Sequence, residues 1–459
     1  MTLEKFVLNQ LKEQVLSGKT RHPKWRRQQL DALSNLLENH QKEILNALHQ
    51  DLRKPATEAF FEIIAVKQEI KLAQRNLSKW MKTKQINVPV SLRPAQALLQ
   101  PDPLGCILII GPWNYPFSLT LQPLVGALAA GNTAVLKPSE HAPNVSTLIK
   151  TLIEKYFPPE ILQVFEGDGN IAADLMTQKF DHVFFTGGEK IGKKVMEAAS
   201  KNLTPVTLEL GGKSPAIVID GANLEVTAKR IVWGKSLNAG QTCIAPDHLL
   251  VEDKLFDSLI TNLKTSISGF YGNTPLNSEH LGSIINQNQF NRLNNLLKQA
   301  KKNDQIIYGG DSNEKEKRIS PTLIKIDDRN DPLMKEELFG PLLPILCIKN
   351  LDQTISDFKL LPKPLALYLF GGGEKEQGKV LSMTSSGGVC FNDVVLQAGI
   401  PELPFGGVGT SGMGKYHGKA GFDTFTHYKS ILKRPFWLDL NFRYPPYKLE
   451  LSLLNKLIG

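Results

Sequence analysis

Cysteine is scarce in this chain, since only four of its 459 residues are cysteines. Four cannot form the disulfide framework that small secreted domains need, so the sequence favours a reducing, cytoplasmic location. Long apolar runs are also lacking, because none reaches the roughly 18 residues that a membrane-spanning helix requires. Segment 1–16 includes Glu4, Lys5, Lys12 and Glu13, and we therefore expect no signal peptide.

Acidic side chains are outnumbered by basic ones, 45 to 54, which gives a formal net charge of +9. A basic protein attracts anionic partners such as a dinucleotide, a membrane surface or a nucleic acid. The lysines and arginines are scattered, however, and no zinc-finger or RNA-binding signature accompanies them. We therefore expect no nucleic-acid partner and no bound metal, and we interpret most of these charges as solvated surface.

The length of the chain exceeds that of one ordinary hydrophobic core, so two or three domains are expected. The first 80 residues show helical spacing of apolar residues, and prolines then punctuate an extended arm near Val88 to Gln100. Short apolar strands and helices alternate beyond this arm. The expected strands are 105–110, 133–136, 162–165, 182–186, 216–219, 249–252, 342–348, 365–370 and 388–392, and the expected helices are 118–130, 144–156, 190–200 and 223–235. The alternation predicts an α/β architecture of parallel sheets, including a doubly wound dinucleotide-binding fold.

One cysteine differs from the others in its surroundings. Cys106, Cys347 and Cys390 lie within apolar strand-like runs, whereas Cys243 follows Asn-Ala-Gly-Gln-Thr in a polar loop that contains glycine. A thiol in such a loop can be exposed and can find hydrogen-bond donors. A single loop cysteine is nevertheless more often structural than catalytic, so this feature alone does not decide its role.

Two further polar residues follow apolar segments. Glu209 stands between two leucines just before a Gly-Gly pair, where poor solvation should raise its pKa toward the range of a general base. Asn114 lies in the turn Gly-Pro-Trp-Asn-Tyr-Pro, and its neutral amide can donate to a developing oxyanion. The ordinary alternatives are a glutamate that caps a local segment and a simple turn asparagine.

The motifs around these residues resemble those of the aldehyde dehydrogenase superfamily in order and spacing, from about residue 20 to residue 430. They are PWNYP (112–116), KPSE (137–140), FFTGG (184–188), LELGGKSP (208–215), NAGQTC (238–243), EELFGP (336–341) and PFGG (404–407). The stretch GVGTSGMGKYHGKAGFDTFTH resembles the class 3 branch, the fatty and aromatic aldehyde dehydrogenase type. The resemblance implies the aldehyde dehydrogenase fold, with a Rossmann-like cofactor domain, an α/β catalytic domain and a small β oligomerisation arm.

The resemblance also implies the NAD(P)-dependent oxidation of an aldehyde to its carboxylic acid through a thiohemiacetal and a thioester. On matching positions, Cys243 is the expected nucleophile and Glu209 the base that activates water, while Asn114 and the backbone N–H of Cys243 form the oxyanion hole. The residues expected at the cofactor are Trp113, Lys137, Glu140, Gly187, Gly188, Gly192, Glu337 and Phe339. We expect NAD to be preferred and NADP tolerated, because a carboxylate at Glu140 repels a 2′-phosphate and Lys137 softens that penalty.

Substrate preference is less constrained than the chemistry. The residues Tyr115, Phe117 and Leu121 suggest an apolar aliphatic or aromatic aldehyde, and Gln397 stands where class 3 members often carry histidine. Two alternatives remain open: a CoA-acylating enzyme, and a structural protein that has lost activity. Relatives of the first kind generally lack the glutamate at position 209, and those of the second kind can lose catalytic residues that this chain keeps.

The expected division of the chain assigns 1–81 and 102–211 to the dinucleotide-binding domain, 82–101 and 420–435 to the arm, 212–419 to the catalytic domain and 436–459 to a tail. The resemblance implies a homodimer joined through the arm. The tail is aromatic and basic, and Leu449, Leu453 and Leu457 recur at helical spacing. We expect it to pack over its own catalytic domain; the alternative is a weak peripheral contact with an anionic membrane.

Overall fold

The computed structural model describes residues 3–447 and 450–458. The helices of this part of the chain are α1 Leu3–Leu16, α2 Pro23–Asn39, α3 Gln41–Leu52, α4 Ala56–Trp80, α5 Ser118–Ala130, α6 Pro143–Tyr156, α7 Gly169–Met176, α8 Glu189–Ser200, α9 Leu224–Ser236, α10 Phe256–Tyr271, α11 Gln287–Lys302, α12 Leu351–Phe358, α13 Glu374–Met383, α14 Gly418–Thr424 and α15 Leu451–Ile458. The strands are β1 Lys84–Ile86, β2 Gln96–Pro103, β3 Cys106–Ile110, β4 Thr133–Lys137, β5 Leu162–Val164, β6 His182–Thr186, β7 Val206–Glu209, β8 Pro215–Val218, β9 His248–Glu252, β10 Ile306–Tyr308, β11 Ser312–Asn313, β12 Arg318–Ile319, β13 Thr322–Ile326, β14 Leu342–Ile348, β15 Ala366–Phe370, β16 Gly388–Phe391, β17 Gly412–Met413 and β18 Thr426–Lys433.

The first large sheet has the strand order β17-β7-β6-β3-β4-β5. From β7 to β5 its strands are parallel, and β3 and β4 are buried along their whole length because helices cover both faces. The chain runs outward from β3 to β5 and then returns to place β6 on the other side of β3. The strand order therefore reverses between β3 and β6, which is the position where open α/β sheets bind ligands.

The second large sheet has the order β10-β13-β14-β9-β8-β15-β16, parallel except for the β10–β13 pair. Asparagine side chains start several helices of this half of the molecule. Asn223, Asn286 and Asn350 each accept a hydrogen bond from the backbone N–H three residues later, at the starts of α9, α11 and α12. Near the end of the chain, β17 pairs with β7, so the first sheet includes one strand from the segment 212–419.

The predicted arm is a three-stranded antiparallel sheet with the order β1-β2-β18. It brings together the two distant segments that the sequence analysis assigned to the arm, 82–101 and 420–435. Beyond it, Phe436 and Trp437 are 104% and 77% exposed, and Tyr447 is also exposed. This exposure disagrees with the expectation that the tail packs over its own catalytic domain, because these aromatic side chains lie in solvent; Leu449 lies outside the described residues. No helix of the described residues is long and apolar enough to cross a membrane.

Candidate active site

Five of the predicted site residues lie at the carboxyl ends of three neighbouring strands of the first sheet. Trp113 and Asn114 follow β3, Gly187 and Gly188 follow β6, and Glu209 is the last residue of β7. Because parallel strands present their carboxyl ends together, neighbouring strands bring these residues to one crevice. The N–H of Gly187 donates to the carbonyl of Glu209 over 3.0 Å, which joins the last two of these segments directly.

Cys243 lies in a loop with unusual backbone geometry. After α9, Asn238 and Ala239 have φ values of 52° and 53°, although neither is glycine. This left-handed conformation costs about 1–2 kcal/mol per residue and needs compensation. The compensation includes a 2.8 Å hydrogen bond from the N–H of Asn238 to the carboxylate of Glu58. The Gln241 side chain adds bonds to the backbone of Asn238, Ser283 and Ile285.

The turn that carries Asn114 packs directly against the cysteine loop. The side-chain amide of Asn114 donates to the carbonyl of Gln241 at 3.1 Å, and the amide of Asn238 donates back to the carbonyl of Asn114 at 2.7 Å. The hydroxyl of Tyr115 lies 2.7 Å from that of Thr242. An asparagine amide has two N–H donors, so one donor of Asn114 remains for a further acceptor. The predicted oxyanion donor and the predicted nucleophile are thus on adjoining segments.

The thiol of Cys243 is half-buried and not in a disulfide. The pKa of this thiol is raised to about 12, chiefly by burial and in smaller part by negative charge on Glu337 and Glu209. The backbone N–H groups of Cys243 and Ile244 lower the pKa because they donate toward the sulfur. Both predicted carboxyl groups are therefore close enough to the sulfur to influence the pKa of the thiol. A thiolate at this position needs additional positive charge or a proton acceptor.

Glu209 is buried, with 2% of its surface exposed. Burial raises the pKa of its carboxyl well above the usual range, which is the direction predicted from its apolar neighbours. Neither carboxyl oxygen has a hydrogen-bond partner among the described residues. Buried polar atoms of native proteins are nearly always paired, and an unpaired group costs about 1–3 kcal/mol. A carboxyl left unpaired beside a thiol is able to accept a proton from the thiol or from a water molecule.

The loop between β6 and α8 leaves space for a phosphate group. A Cβ atom added to Gly188 would meet no atom within 4 Å, whereas one added to Gly192 would lie 2.8 Å from Leu210. Helix α8 begins at Glu189 without a side-chain cap. Its first N–H groups therefore remain available, and the N-terminus of a helix favours negative charge. The two glycines have different uses, since Gly188 opens the crevice and Gly192 permits close packing.

A second loop brings Glu337 and Phe339 to the same crevice. The Glu337 carboxyl lies against Gly211, and burial followed by the charge of Asp247 raises its pKa to about 8. The ring of Phe339 lies 5.2 Å from that of Trp113 in an edge-to-face arrangement. These contacts join the loop that follows β3 to the loop before β14.

Charged side chains hold the backbone on both sides of Glu337. Lys213 donates to the carbonyl of Glu336 at 2.9 Å and forms an ion pair with Asp247. The same Asp247 accepts from the N–H of Leu338 at 2.8 Å. The loop that carries Glu337 is thus fixed by residues that lie about 90 to 120 positions earlier in the chain.

Lys137 and Glu140 form the pair that the sequence predicted. The ammonium group of Lys137 lies 3.1 Å from a carboxylate oxygen of Glu140, at the end of β4. Lys137 is buried, whereas 36% of the Glu140 side chain is exposed. Groups for ribose hydroxyls and a pyrophosphate are thus provided by the partly buried carboxyl of Glu337, the uncapped start of α8 at Glu189 and the Lys137–Glu140 pair. The crevice therefore fits a nicotinamide dinucleotide.

Several residues of this site were missed by the sequence analysis. They are Lys54, Glu58, Glu62, Lys213, Asn238 and Asp247. The signal for Glu62 was available, because it lies on the same helical face as Ala59, Ile63 and Val66, which are buried. A charged residue on an apolar stripe indicates a buried pair. No comparable pattern marked Lys213 or Asp247, whose partners are remote in sequence.

Two of the residues that suggested an apolar substrate lie in the protein core. Phe117 and Leu121 are almost fully buried in the core between α2, α4 and α5, so they do not support an apolar substrate tunnel. The reason is that both lie at the start of α5 and face inward.

Gln397, the other residue considered for substrate preference, is linked to the cysteine loop through Tyr368. It donates to the hydroxyl of Tyr368 at 3.2 Å, and Tyr368 donates to the carbonyl of Ile244, which follows Cys243.

Known proteins share both the sequence and this architecture. The family model described as Aldehyde dehydrogenase family matches residues 11–431. The 4,4'-diaponeurosporen-aldehyde dehydrogenase of Staphylococcus aureus is 45% identical over 430 residues, which cover 94% of this chain and 93% of that protein. The Mus musculus protein named aldehyde dehydrogenase, dimeric NADP-preferring, is 42% identical over 443 residues and covers 96% and 97%. A solved structure, the substrate-bound state of Staphylococcus aureus AldH, has 43% identity and a TM-score of 0.97 over 100% of both chains. The chain therefore belongs to the aldehyde dehydrogenase family and is an oxidoreductase that acts on the aldehyde group.

Proposed function

We propose that this enzyme oxidises an apolar aliphatic or aromatic aldehyde to the carboxylic acid, with Cys243 as nucleophile and Glu209 as general base. The observation that carries the proposal is the pair of unpartnered, buried oxygens of Glu209 beside the cysteine loop. A CoA-acylating enzyme has no need of such a base. The substrate class is supported by a relative whose name gives the aldehyde of 4,4'-diaponeurosporene as its substrate.

In the first half of the proposed reaction, the Cys243 thiol transfers its proton to Glu209 and the thiolate adds to the aldehyde carbon. The carbonyl oxygen becomes an oxyanion, which accepts hydrogen bonds from the free N–H of Asn114 and the backbone N–H of Cys243. The residues of the crevice would hold a nicotinamide cofactor, which would supply positive charge near the thiolate and take up the hydride that leaves the aldehyde carbon. Collapse of the thiohemiacetal leaves an acyl group on the sulfur as a thioester.

After the thioester has formed, Glu209 releases the first proton to solvent. In the second half, the ionised Glu209 removes a proton from water as the water oxygen attacks the thioester carbon. The same donors receive the negative charge of this second tetrahedral adduct. Its collapse breaks the carbon–sulfur bond and releases the carboxylic acid with the Cys243 sulfur as a thiolate. The burial of Glu209 suits this step, because a carboxyl with a raised pKa is a stronger base once it is ionised.

For the cofactor, the proposal is NAD as the preferred form and NADP as a tolerated one. Trp113, Gly187, Gly188, Gly192 and Phe339 would form the crevice around the dinucleotide. Glu337 would accept from the nicotinamide ribose, and Lys137 with Glu140 would hold the adenosine ribose. The half-exposed carboxylate of Glu140 disfavours a 2′-phosphate. The mouse relative named NADP-preferring argues for the opposite order, so cofactor preference needs direct measurement.

The proposed division of the chain follows the two large sheets except at β17, which lies in 212–419 but pairs with β7 of the first sheet. We assign cofactor binding to 1–81 and 102–211 and catalysis to 212–419, and association to the arm of 82–101 and 420–435. Strands β1 and β18 are the edges of the arm sheet, and unpaired edges favour pairing with another chain. One relative is named dimeric. The proposal is a homodimer, which light scattering should report as twice the chain mass of 51.0 kDa; a monomer would contradict it.

The tail of 436–459 carries a lesser proposal. Its exposed Phe436, Trp437 and Tyr447 suit the interface of an anionic membrane, to which the net charge of +9 would contribute. Co-sedimentation with anionic vesicles at low salt tests this contact. Protein that stays in the supernatant would rule it out.

The central experiment measures NAD reduction with a panel of aldehydes, from acetaldehyde to long-chain and aromatic ones, each with NAD and NADP. The product is analysed after reaction in isotopically labelled water and in the presence of CoA. Hydrolysis by the Glu209-activated water predicts one labelled oxygen in the acid and no acyl-CoA. Formation of acyl-CoA would contradict the hydrolytic proposal, and a preference for small polar aldehydes would contradict the substrate class.

A further inference from the structure

A buried ion pair lies behind the turn that carries Asn114. Lys54 and Glu62 have no exposed side-chain surface, and Lys54 Nζ lies 2.5 Å from Glu62 Oε1. Lys54 is in the short link between α3 and α4, and Glu62 is in the second turn of α4. Neither residue is near Asn114 in sequence. Two buried charges lose much hydration, so their retention calls for an explanation beyond stability.

The two charges hold opposite ends of the same turn. Lys54 Nζ donates to the carbonyl oxygen of Asn114 at 2.8 Å. Glu62 Oε2 accepts from the N–H groups of Phe117 and Ser118 at 3.1 and 3.0 Å. The pair thus bridges from the carbonyl of Asn114 to the N–H groups three and four residues later. Charge-assisted hydrogen bonds of this kind are stronger than neutral ones, so they restrain both ends of the segment.

Lys54 also contacts the residue between these ends. Its ammonium group lies 3.9 Å from the centre of the Tyr115 ring, over the face of the ring. The hydroxyl of Tyr115 is bonded to Thr242, the residue before Cys243. Burial lowers the pKa of Lys54, and the charge and hydrogen bond of Glu62 offset part of this shift. The ammonium is therefore a fixed point for both the Asn114 backbone and the Tyr115 ring.

We propose that Lys54 and Glu62 are positioning residues that orient the Asn114 amide toward the oxyanion, an inference that rests on the proposed oxyanion role of Asn114. Lys54 acts through the Asn114 carbonyl and does not touch the substrate. Asn238 Nδ2 donates to the same carbonyl, so loss of Lys54 leaves a partial restraint. A displacement of the amide by a fraction of an ångström weakens a hydrogen bond that must be aligned when the oxyanion forms.

The test is a double-mutant cycle that combines Lys54→Met with Asn114→Ala. The reaction measured is a single turnover of NADH formation with saturating NAD and aldehyde. Lys54→Met should lower this rate by about 10²-fold, and Asn114→Ala should lower it by about 10²- to 10³-fold. In the Asn114→Ala background, Lys54→Met should cause little further loss, because its target is gone. Losses that simply multiply would overturn the positioning role.

Two further readouts separate positioning from general damage to the fold. The rate of Cys243 alkylation by iodoacetamide does not need an oxyanion donor, and NADH affinity reports the cofactor crevice; both should match those of the unmodified enzyme in Lys54→Met. A parallel loss of both would indicate a structural role only. The control is Lys12→Met, which removes an ion pair with Asp181 at 3.2 Å that is remote from the turn and should leave turnover unchanged.

A second variant covers the case in which Lys54→Met fails to fold because Glu62 is left as a buried, unpaired charge. The double variant Lys54→Met/Glu62→Gln is neutral at both positions, and should fold but remain slow in the single turnover. Recovery of the original rate by this double variant would overturn the inference. Full activity of Asn114→Ala would instead overturn the oxyanion role of Asn114, whatever the result at Lys54.

Discussion

Two buried glutamates near the Cys243 loop differ in how their hydrogen bonds are satisfied. Behind the Asn114 turn, Glu62 forms an ion pair with Lys54 and accepts hydrogen bonds from Phe117 and Ser118. At the end of β7, Glu209 is equally buried, yet neither of its oxygens has a partner among the described residues. Both are buried carboxyls at the same site, so burial alone does not distinguish them.

The difference indicates what each carboxyl does. A satisfied carboxylate keeps its charge and restrains the groups bonded to it, which suits the positioning of a turn. An unsatisfied carboxyl costs stability, and burial raises its pKa so that it gains basicity. An unsatisfied carboxyl is expected at a position where a bound reactant completes the hydrogen bonds of that carboxyl. The comparison therefore supports the proposed positioning role of Glu62 and the proposed catalytic role of Glu209, and the following four predictions test it in order of expected effect.

The largest effect is expected for the thiol of Cys243, the proposed nucleophile. Cys243→Ser should lower kcat by about 10³-fold or more, because a hydroxyl has too high a pKa to act as the nucleophile in this pocket. Steady-state NADH formation measures the loss, and NADH affinity should not change. The matched control is Cys347→Ser in β14, a half-buried thiol away from the site, which should remain active. Comparable losses in both variants would contradict the assignment of the nucleophile.

The direct test of the comparison replaces each glutamate by glutamine. Glu209→Gln should lower steady-state turnover by about 10²- to 10⁴-fold and leave a burst of one NADH per active site, because acylation precedes the step that needs the base. It should not destabilise the fold, since it removes an unpartnered buried carboxyl. Glu62→Gln should lower stability by about 1–3 kcal/mol and show no burst. Steady turnover of Glu209→Gln at the original rate would falsify the general-base role.

A third buried carboxyl, that of Glu69, tests how much stability is lost when a carboxyl oxygen has no hydrogen-bond partner. Burial raises the pKa of Glu69 from 4.5 to about 7, although a backbone N–H of Gly418 opposes the shift, and one oxygen has no partner among the described residues. The folded state therefore holds a proton that the unfolded chain releases above its own pKa of 4.5. The stabilisation by this proton is complete below pH 4.5 and disappears as the pH rises through 7, a loss of up to about 3 kcal/mol.

Glu69→Gln should remove this dependence, because the amide does not ionise. The unfolding midpoint of the variant, relative to the unmodified enzyme, should therefore increase between pH 5 and pH 8. Exposed Glu316 provides the matched control, and Glu316→Gln should give a difference that stays flat across this range. A flat difference for Glu69→Gln would show that poor satisfaction of this carboxyl has no cost.

The smallest effect concerns a carboxylate that is half exposed and paired. Glu140→Gln should increase the ratio of kcat/KM for NADP to that for NAD by about tenfold or less, because water screens much of the repulsion of a 2′-phosphate. Initial rates with both cofactors measure this ratio. Glu154→Gln, on the exposed face of α6, should leave it unchanged. An original enzyme that strongly prefers NADP would contradict the proposed order of cofactors.

Local pattern was sufficient for much of the fold. Strand β6 and helix α5 were predicted with their observed bounds, because a short strand with the apolar centre Val-Phe-Phe and a leucine- and alanine-rich helix are clear patterns over these lengths. Helix α11 was missed, since its buried Phe290, Leu293 and Leu297 are separated by many polar residues. The short strand β17 was also missed, because its pairing with β7 depends on a chain segment about 200 residues away.

The sequence by itself determined the family, the strand ends at which Asn114 and Glu209 stand, and the direction of the Glu209 pKa shift. These features depend on neighbours in the chain, so motifs and apolar flanks are enough to define them. Only the tertiary structure decided that Lys54 donates to Asn114 and that Lys213 holds the loop of Glu337. It also placed Phe117 in the core and left the Glu209 carboxyl without a hydrogen-bond partner in the described part of the chain. Hydrogen-bond satisfaction and burial are sums over residues remote in sequence, and no local pattern contains them.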